Sequence, residues 1–368
     1  MLLRRIDILD FKNIPEAALE FSPGVNCLLG MNGMGKSNLL EAIHFLCLAR
    51  GMSSMPESAL IRHGRDMLMV KGSFETDGGA AEEVSVGIVR GKGKTLKRNG
   101  KTYDRISSHI GQFPVVCVTP EDSMLVTGGG EERRRLMDIV LSQSHPSYLS
   151  ALIRYNRALE SRNRMLRAGV RDALLYESVE DSMEGAANAI HAARREWTET
   201  LSPVFAQYYA KVSGGAETAS IRYRSALNDT TFRDLLNERR AKDTVLGYTS
   251  AGVHRDDILT GLGDYSMKRL GSQGQVKTYT IAMRLAIFDY LKREGGVTPI
   301  LLLDDIFDKL DASRVGRIMD LVSTESGFSQ IFITDTNREH IDEILASISG
   351  ARTLLEVKEG TFTPIRAL

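Results

Sequence analysis

The chain has 368 residues, of which 42% are hydrophobic and 26% charged, and its 47 basic residues are balanced by 47 acidic residues. This length favours two lobes with separate cores, and this composition excludes a disordered or fibrous protein. A formal net charge of zero excludes a protein that coats nucleic acid by bulk electrostatics, so any DNA contact must come from local basic patches.

The N-terminus and the cysteines indicate where the protein works. Arg4 and Arg5 place charge where a signal peptide needs an apolar core, and no run approaches the ~20 apolar residues that span a bilayer. We therefore expect a cytoplasmic protein with no membrane contact. Cys27, Cys47 and Cys117 lie in apolar runs without Cys-x-x-Cys spacing, so we expect buried thiols rather than a metal site or a disulfide.

Strands and turns dominate the first third of the chain. Apolar runs bounded by glycine-rich breaks predict strands at 2–10, 17–21, 25–29, 67–74 and 84–89. The densest basic stretch follows in a predicted β-hairpin that contains Arg90, Lys92, Lys94, Lys97, Arg98 and Lys101. Such a hairpin is either a solvated surface or an edge that contacts phosphates.

A phosphate-binding loop joins the strand at 25–29 to a predicted helix at 38–47. Its glycines let backbone N–H groups curl around phosphate oxygens, and the helix N-terminus faces the anion. Lys36 would neutralise the β- and γ-phosphates, which makes it a candidate catalytic residue, and Ser37 would offer its hydroxyl to Mg²⁺. The predicted ATP-binding residues are Gly30, Met31, Asn32, Gly33, Met34, Gly35, Lys36 and Ser37.

Helical periodicity replaces the strands from residue 131. It predicts helices at 131–143, 146–167 and 173–212, and the second would reach roughly 33 Å at 1.5 Å per residue. These helices suit an antiparallel arm. Strands resume after Gly214 and Gly215, and strand alternates with helix from 300 to 368, so the helical segment splits the sheet domain.

A serine-glycine-glutamine segment precedes a predicted helix at 276–293. In ABC ATPases a serine hydroxyl, a glycine amide and a helix N-terminus bind the γ-phosphate on the opposite subunit, so ATP joins a homodimer. Ser272, Gly274 and Gln275 are the predicted nucleotide-contacting residues of this signature motif. Taken alone, Ser272 could instead be a simple helix N-cap.

Two carboxylates end the apolar strand at 300–304. A P-loop needs an acid at the end of a neighbouring strand to hold the Mg²⁺ shell, and Asp304 is the predicted metal ligand beside Ser37. Asp305 follows it toward the nucleotide, where it would orient or deprotonate the attacking water as catalytic base. A solvated acid at the strand end is the alternative for Asp305.

Two later elements follow the ABC order. Asp311 matches the D-loop and is a further predicted nucleotide-contacting residue. The strand at 331–333 runs into the segment where a γ-phosphate sensor belongs, which reads Thr334-Asp335-Thr336. His340 lies in the next predicted helix and is interpreted as an ordinary surface residue.

These motifs together predict an α/β fold: an ABC-ATPase head with a P-loop mixed sheet and an inserted helical lobe that carries a short antiparallel arm. We expect the N-terminal part of the ATPase lobe at 1–118, the helical lobe with arm and signature motif at 119–295, and the C-terminal part at 296–368. Asp305 is one methylene shorter than the usual glutamate, which predicts slow hydrolysis and a switch-like ATPase.

Further motifs from end to end of the chain make it resemble the RecF family of DNA replication and repair ATPases, relatives of SMC heads. They are Asp-Phe-Lys-Asn at 10–13, Leu-Ile-Arg-His-Gly at 60–64, Thr-Pro-Glu-Asp at 119–122 with Glu-Arg-Arg-Arg at 132–135, and Gly-Val-His-Arg-Asp-Asp at 252–257. The resemblance implies that Lys12 and Asn13 bind nucleotide and that ATP drives dimerisation on single-stranded, gapped or junction DNA. It also implies RecR and RecO as partners, recombinase loading, replication restart and support of the SOS response.

Local basic patches are the remaining candidates for DNA contact. Because the net charge is zero, we expect Arg133, Arg134 and Arg135 to contact DNA together with the basic hairpin at 90–101.

Three alternatives stay in view. An SMC- or Rad50-type chromosome-structure or end-processing ATPase would need a far longer arm than the about 130 residues between Pro120 and Ser250 allow. A transporter ATPase would carry a glutamate at Asp305 and a histidine in the sensor segment. A non-hydrolysing, ATP-gated scaffold would require the loss of Lys36 or Asp304, and both are present.

Overall fold

The computed structural model describes residues 1–53, 55–215, 217–307, 310, 312–324, 330–347 and 350–365. The chain forms two compact units. Unit 1 comprises Met1–Asp122 and Ile287–Leu368, and unit 2 is the inserted segment Ser123–Ala286. The lobe boundaries expected at 118 and 295 from the sequence remain a prediction.

Unit 1 contains an antiparallel sheet. Its strands are β1 (Leu2–Phe11), β2 (Ile14–Glu20), β4 (Met67–Glu75), β5 (Ala81–Val89), β6 (Gly93–Arg98) and β7 (Lys101–Thr102). They pair in the order β2-β1-β4-β5-β6-β7. Alternate residues such as Val70 and Val84 are buried, because one face of the sheet packs on helix α1 (Lys36–Leu48).

A second sheet of unit 1 is mostly parallel. Its strands are β3 (Val25–Leu29), β8 (Val115–Val118), β12 (Ile300–Asp304), β13 (Gln330–Asp335), β14 (Arg352–Lys358) and β15 (Thr361–Pro364), in the order β15-β14-β3-β13-β12-β8. Only β15 runs antiparallel to its neighbour among these paired strands. The predicted mixed sheet is thereby confirmed. Helices α9 (Ala312–Thr324) and α10 (Arg338–Ser347) follow β12 and β13.

Helices build most of unit 2. They are α2 (Met124–Thr127), α3 (Gly130–Ser144), α4 (Pro146–Arg167), α5 (Ala173–Ser213), α6 (Phe232–Leu246), α7 (Met267–Leu270) and α8 (Gln273–Gly295), whose last turns belong to unit 1. Unit 2 also contains a three-stranded sheet. Its strands are β9 (Ala219–Arg224), β10 (Asp257–Leu262) and β11 (Tyr265–Ser266), and they pair in the order β11-β10-β9.

Helices α4 and α5 form the predicted antiparallel arm. Arg162 of α4 contacts Glu180 of α5, and Tyr148, earlier in α4, contacts Arg194, later in α5. Each step back along one helix is thus a step forward along the other. Asp172 caps α5 by accepting from the backbone N–H of Leu174 at 2.9 Å.

The cysteine prediction is confirmed. Cys27, Cys47 and Cys117 are all buried free thiols, and burial raises the pKa of Cys27 to about 12. Among the helices that the structure describes, none has the length and apolar character needed to cross a membrane.

Candidate nucleotide site

The P-loop lies between the carboxyl end of β3 and the start of α1, which begins at Lys36 rather than at residue 38 as predicted. Gly33 and Gly35 have φ values of 79° and 116°, in the region that favours glycine. The Lys36 ammonium donates to the carbonyl of Gly30 and, at 3.0 Å, to that of Met31. The lysine therefore folds back over its own loop, whose residues Met31, Asn32 and Gly33 are exposed.

Backbone contacts fix the rest of the loop. The N–H of Gly30 donates to the carbonyl of Asp335 at 3.3 Å, and the N–H of Gly360 donates to the carbonyl of Met34 at 2.8 Å. A Cβ on Gly360 would lie 2.3 Å from the carbonyl oxygen of Asn13, so glycine is required there. The turn between β14 and β15 thereby supports the P-loop, which sequence reasoning did not foresee.

Asn13 contacts the P-loop and α1, and Lys12 contacts α1. The Asn13 amide donates to the carbonyl of Gly33 at 3.3 Å and accepts from the Asn38 amide at 2.7 Å. Lys12 forms an ion pair with buried Glu41 of α1. Nucleotide contact by either residue, which the resemblance implies, stays a prediction.

A network of hydroxyls surrounds Asp304. The Ser37 hydroxyl donates to Asp304 Oδ1 at 2.9 Å, and the Thr334 hydroxyl donates to the same oxygen at 2.7 Å. The backbone N–H of Asp305 donates in turn to Thr334 Oγ1 at 2.9 Å. Because β12 and β13 are parallel and pair Asp304 with Thr334, the ends of both strands meet beneath the P-loop.

Burial shifts the pKa values of Asp304 and Lys36 at this edge of the sheet. Burial raises the pKa of Asp304, although the hydrogen bonds from Thr334 and Ser37 oppose the shift. Burial lowers the pKa of Lys36, which the nearby carboxylates of Asp305, Asp304 and Asp335 oppose. A cation bound beside this buried carboxylate would offset the cost of burying its charge.

The donor set fits Mg²⁺. The Ser37 hydroxyl and the Asp304 carboxylate are hard oxygen ligands only 2.9 Å apart. Mg²⁺ prefers such ligands and usually takes one or two from the protein, completing its shell with water and substrate phosphates. The predicted metal residues are thus brought together.

Asp305 follows β12 with a φ of 48°, a left-handed conformation that aspartate tolerates better than most residues. It is only half-buried. The bend turns the chain away from the strand directly after Asp304, so the two acids do not continue the alternation of the strand. The proposed base role of Asp305 stays a prediction.

In the sensor segment, Asp335 contacts the helix that follows. His340, interpreted as an ordinary surface residue, has a side chain that is 39% exposed, and its Nδ1 lies 3.2 Å from Asp335 Oδ2. Asp335 Oδ1 also accepts from the N–H of Asn337 at 2.8 Å. The predicted nucleotide contact Asp311 lies outside the described residues.

The signature segment begins α8 in unit 2. The N–H of Ser272 donates to Gln275 Oε1 at 2.8 Å, and the N–H of Gln275 donates to Ser272 Oγ at 3.3 Å. This reciprocal pair is a capping box, so α8 begins at Gln273 rather than at residue 276. Ser272 is exposed, and Gly274 and Gln275 are half-buried. Capping its own helix does not exclude a role for Ser272 toward a partner.

One of the predicted DNA contacts is wrong. Arg133 is buried and donates to both carboxylate oxygens of Asp257, at 2.7 and 3.0 Å, and to the carbonyl of Leu125. Arg134 is half-buried and donates to the carbonyl of Asp256 at 2.8 Å. Arg133 therefore holds unit 2 together and is inaccessible to phosphate.

The cations of the basic hairpin differ in their exposure. Lys94 pairs with Glu57, and Arg98 pairs with Glu82 and lies over the ring of Phe113; both are half-buried. Lys92, Lys97 and Lys101 are exposed, as is Arg90, which also pairs with Asp66 at 4.0 Å. The exposed cations are accessible to a phosphate chain.

A cavity of about 830 Å³ lies beside Lys12 and was missed by sequence reasoning. Its lining includes Ile61, His63 and Gly64 from the Leu-Ile-Arg-His-Gly motif, and Arg65, which follows the motif directly. The motif was noticed in the sequence, but nothing in its pattern indicated that it would line a cavity beside Lys12.

Comparison with known proteins places this geometry in context. The profile of the RecF/RecN/SMC N terminal domain family matches residues 2–353. A relative from Parabacteroides distasonis, called DNA replication and repair protein RecF, is 45% identical over 365 residues, which cover 99% of this chain and 100% of the relative.

Solved structures agree with the fold. One of the recombination mediator protein RecF with ATP, in the RecFOR pathway, has a TM-score of 0.88 at 26% identity and covers 99% of this chain and 97% of that chain. An Smc head domain from Pyrococcus furiosus, bound to the C-terminal domain of ScpA, has a TM-score of 0.59 at 19% identity over 99% of this chain and 95% of that chain, which bears on the fold alone. The predicted ABC-ATPase head is confirmed.

Proposed function

The chain belongs to the RecF/RecN/SMC N terminal domain family, and on that premise we propose that it is an ATP-dependent, DNA-binding switch of recombinational DNA repair. The observation that carries this proposal is the network of Ser37, Asp304, Thr334 and the Asp305 backbone beneath the P-loop. It joins a phosphate-binding loop to the ends of two neighbouring strands, as nucleotide hydrolysis requires.

In this proposal the P-loop backbone and Lys36 hold the β- and γ-phosphates, and Ser37 and Asp304 hold Mg²⁺. Mg²⁺, when bound, neutralises phosphate charge. Lys36 would leave its carbonyl partners for the phosphates. Their negative charge would stabilise the ammonium, whose pKa burial lowers. The cavity beside Lys12 is large enough for the adenosine part of the nucleotide.

Asp305 would orient the attacking water and accept its proton. Its side chain is one methylene shorter than that of glutamate and therefore reaches less far from the bend after β12. We therefore propose slow turnover, which DNA stimulates. An ATP-bound state that outlives one encounter with DNA would act as a timer.

The signature segment would complete the site of a second copy. Ser272, Gly274, Gln275 and the D-loop residue Asp311 would contact the γ-phosphate bound by the partner's P-loop, so that ATP drives homodimerisation. The exposure of Ser272 supports this proposal, because the hydroxyl is accessible to another molecule.

The biological setting is proposed from the relatives. A relative is named for DNA replication and repair, and a similar structure is described within the RecFOR pathway. We propose that the dimer binds DNA at single-strand gaps or junctions in the cytoplasm, acts with RecR and RecO to load recombinase, and supports replication restart and the SOS response.

Two substitutions test the dimer proposal. Ser272→Arg should leave ATP binding by the monomer within about twofold and abolish ATP-driven dimerisation, because a bulky cation would occupy the γ-phosphate contact. Lys36→Ala should abolish both, because the P-loop loses its cation. Calorimetric titration and sedimentation separate the two effects, and normal dimerisation of Ser272→Arg would contradict the signature assignment.

A further inference from the structure

Glu217 lies between the signature segment and the long arm helix in unit 2. Its Oε1 accepts from the side-chain amide of Gln275 at 2.5 Å, and its Oε2 accepts from the hydroxyl of Tyr209 at 2.9 Å. Both oxygens of this half-buried carboxylate are therefore in use.

The carboxylate decides which way the Gln275 amide points. An amide has one donor end and one acceptor end, and the donor end faces Glu217. The acceptor end then faces Ser272, whose N–H it receives at 2.8 Å. If the amide turned over, its NH₂ group would face the N–H of Ser272 and the capping box would lose one of its two bonds.

Aromatic packing anchors Glu217 in turn. Tyr209 of α5 is fully buried, with its ring centroid 6.0 Å from that of Tyr279 in α8 and 6.3 Å from that of Phe205. The Tyr279 hydroxyl donates to the carbonyl of Ser220 in β9 at 2.7 Å. The acceptor that Gln275 contacts is thus fixed to the arm helix, to β9 and to the first turns of α8.

We propose that Glu217 is a positioning residue for the signature segment. It orients Gln275, which holds Ser272 in the geometry that receives the partner's γ-phosphate, while Glu217 itself touches no nucleotide. The inference rests on the proposed role of the signature segment in dimerisation. It also links the end of the arm helix, through Tyr209, to the residues that close the dimer.

The hydrogen-bond acceptors that remain at position 217 predict which substitutions preserve dimerisation. Glu217→Gln keeps an oxygen for Gln275 and turns its NH₂ toward Tyr209, whose hydroxyl oxygen can accept. Glu217→Ala removes both acceptors. Tyr209→Phe removes only the second hydrogen bond and keeps the aromatic packing.

The test compares monomer ATP binding with ATP-driven dimerisation. Glu217→Ala should raise the dimer dissociation constant by at least about tenfold, the lower bound for one lost charge-assisted hydrogen bond, because it removes both acceptors. Its ATP affinity as a monomer should stay within about twofold. Glu217→Gln should dimerise within about threefold of wild type, and Tyr209→Phe should fall between the two. Glu199→Ala, at an exposed position in the same arm helix, is the matched control.

The outcomes separate the two proposals. Equal dimerisation of Glu217→Ala and wild type would overturn the positioning role, as would an equal loss in Glu217→Ala and Glu217→Gln or a parallel loss of monomer ATP affinity. If Ser272→Arg also dimerised normally, the proposed role of the signature segment would fail as well. If Ser272→Arg failed to dimerise while Glu217→Ala was normal, only the inference about Glu217 would fall.

Discussion

At the scale of single residues, Asp304 carries an electrostatic cost that the bound state would relieve. Burial raises its pKa, so the folded protein holds a proton on this carboxyl more tightly than the unfolded chain does. Ionised Asp304 therefore lowers the free energy of unfolding above its folded pKa, and the loss disappears as the pH falls below the unfolded value of about 4.

Asp304→Asn should accordingly raise the melting temperature of the nucleotide-free protein near neutral pH. The gain should shrink as the pH falls and vanish near pH about 4, where the wild-type carboxyl is protonated in both states. Thermal melts across this range check the sign. Asp264→Asn, at an exposed position, is the control, and a gain that grew toward acid would contradict the account.

Substitutions of Asp304 and of its neighbour Asp305 should have different effects on ATP chemistry. Asp305→Asn should keep ATP and Mg²⁺ binding through Asp304, Ser37 and Lys36. It should lower turnover by part of the roughly 10²–10⁴-fold that a general base usually contributes, because the short side chain of Asp305 already gives up some of that contribution. Its dimer should stay closed on DNA. Asp304→Asn should weaken Mg²⁺ binding itself. Turnover and dimer lifetime are the measurements, and wild-type turnover by Asp305→Asn would refute both the base role and the timer.

The sequence predicted which residues lie at the site but not the hydrogen bonds that connect them. The P-loop spacing and the apolar run before Asp304 predicted that Ser37 and Asp304 meet, because parallel strands end at one edge. The hydrogen bond from Thr334 depends on the register of β12 against β13, which no local pattern encodes. The predicted DNA contact of Arg133 was wrong for a related reason, because its partner Asp257 is 124 residues away in the sequence.

At the scale of elements, a buried arginine joins three helices of unit 2. Arg162 of α4 is completely buried and donates to Glu180 of α5 at 2.9 Å and to Asp243 of α6 at 2.8 Å. It also donates to the hydroxyl of Thr249 at 2.8 Å. Removing one partner of such a network leaves uncompensated charges in the interior.

Arg162→Ala should lower the free energy of unfolding of unit 2 by about 3–5 kcal/mol. The lower end is expected because Arg240 also pairs with Glu180, at 2.8 Å. The chain's single tryptophan, Trp197, is buried in α5, so its fluorescence reports urea unfolding of this unit.

Arg164→Ala provides the comparison on the same helix. Its guanidinium is 73% exposed and pairs with Glu160 one turn away at 3.2 Å, so the change should stay within about 0.5 kcal/mol. Equal losses for the two substitutions would show that the buried network does not stabilise the arm.

Element bounds were predictable where local signals were strong. The predicted helix at 146–167 coincides with α4, because Pro146 starts it and its apolar face is regular. The helix α8 begins three residues early, since Ser272 and Gln275 cap it and the pattern of apolar residues starts only later. Pro203 lies inside α5, a position where sequence alone favours an interruption.

At the scale of the whole molecule, a neutral protein can bind DNA only where cations are exposed. The structure removes Arg133 from the candidates and leaves exposed cations on the hairpin. Lys92→Glu, Lys97→Glu and Lys101→Glu together should weaken DNA binding and lower the slope of log affinity against log salt by up to about 0.9 per lost phosphate contact.

The salt slope distinguishes contact from general repulsion. Arg154→Glu, Arg157→Glu and Arg195→Glu make the same charge change at exposed positions of α4 and α5 and serve as the control. An unaltered slope in the hairpin triple variant, or the same change in the control, would clear the hairpin of DNA contact.

The central claim is that ATP joins two copies of this chain on DNA, and sedimentation velocity with and without ATP, Mg²⁺ and a gapped duplex tests it most directly. Without nucleotide we expect a monomer near 40.7 kDa. With ATP we expect a species of twice that mass, strengthened by DNA and lost in Ser272→Arg. A wild-type chain that stays monomeric at saturating ATP, with and without DNA, would contradict the account.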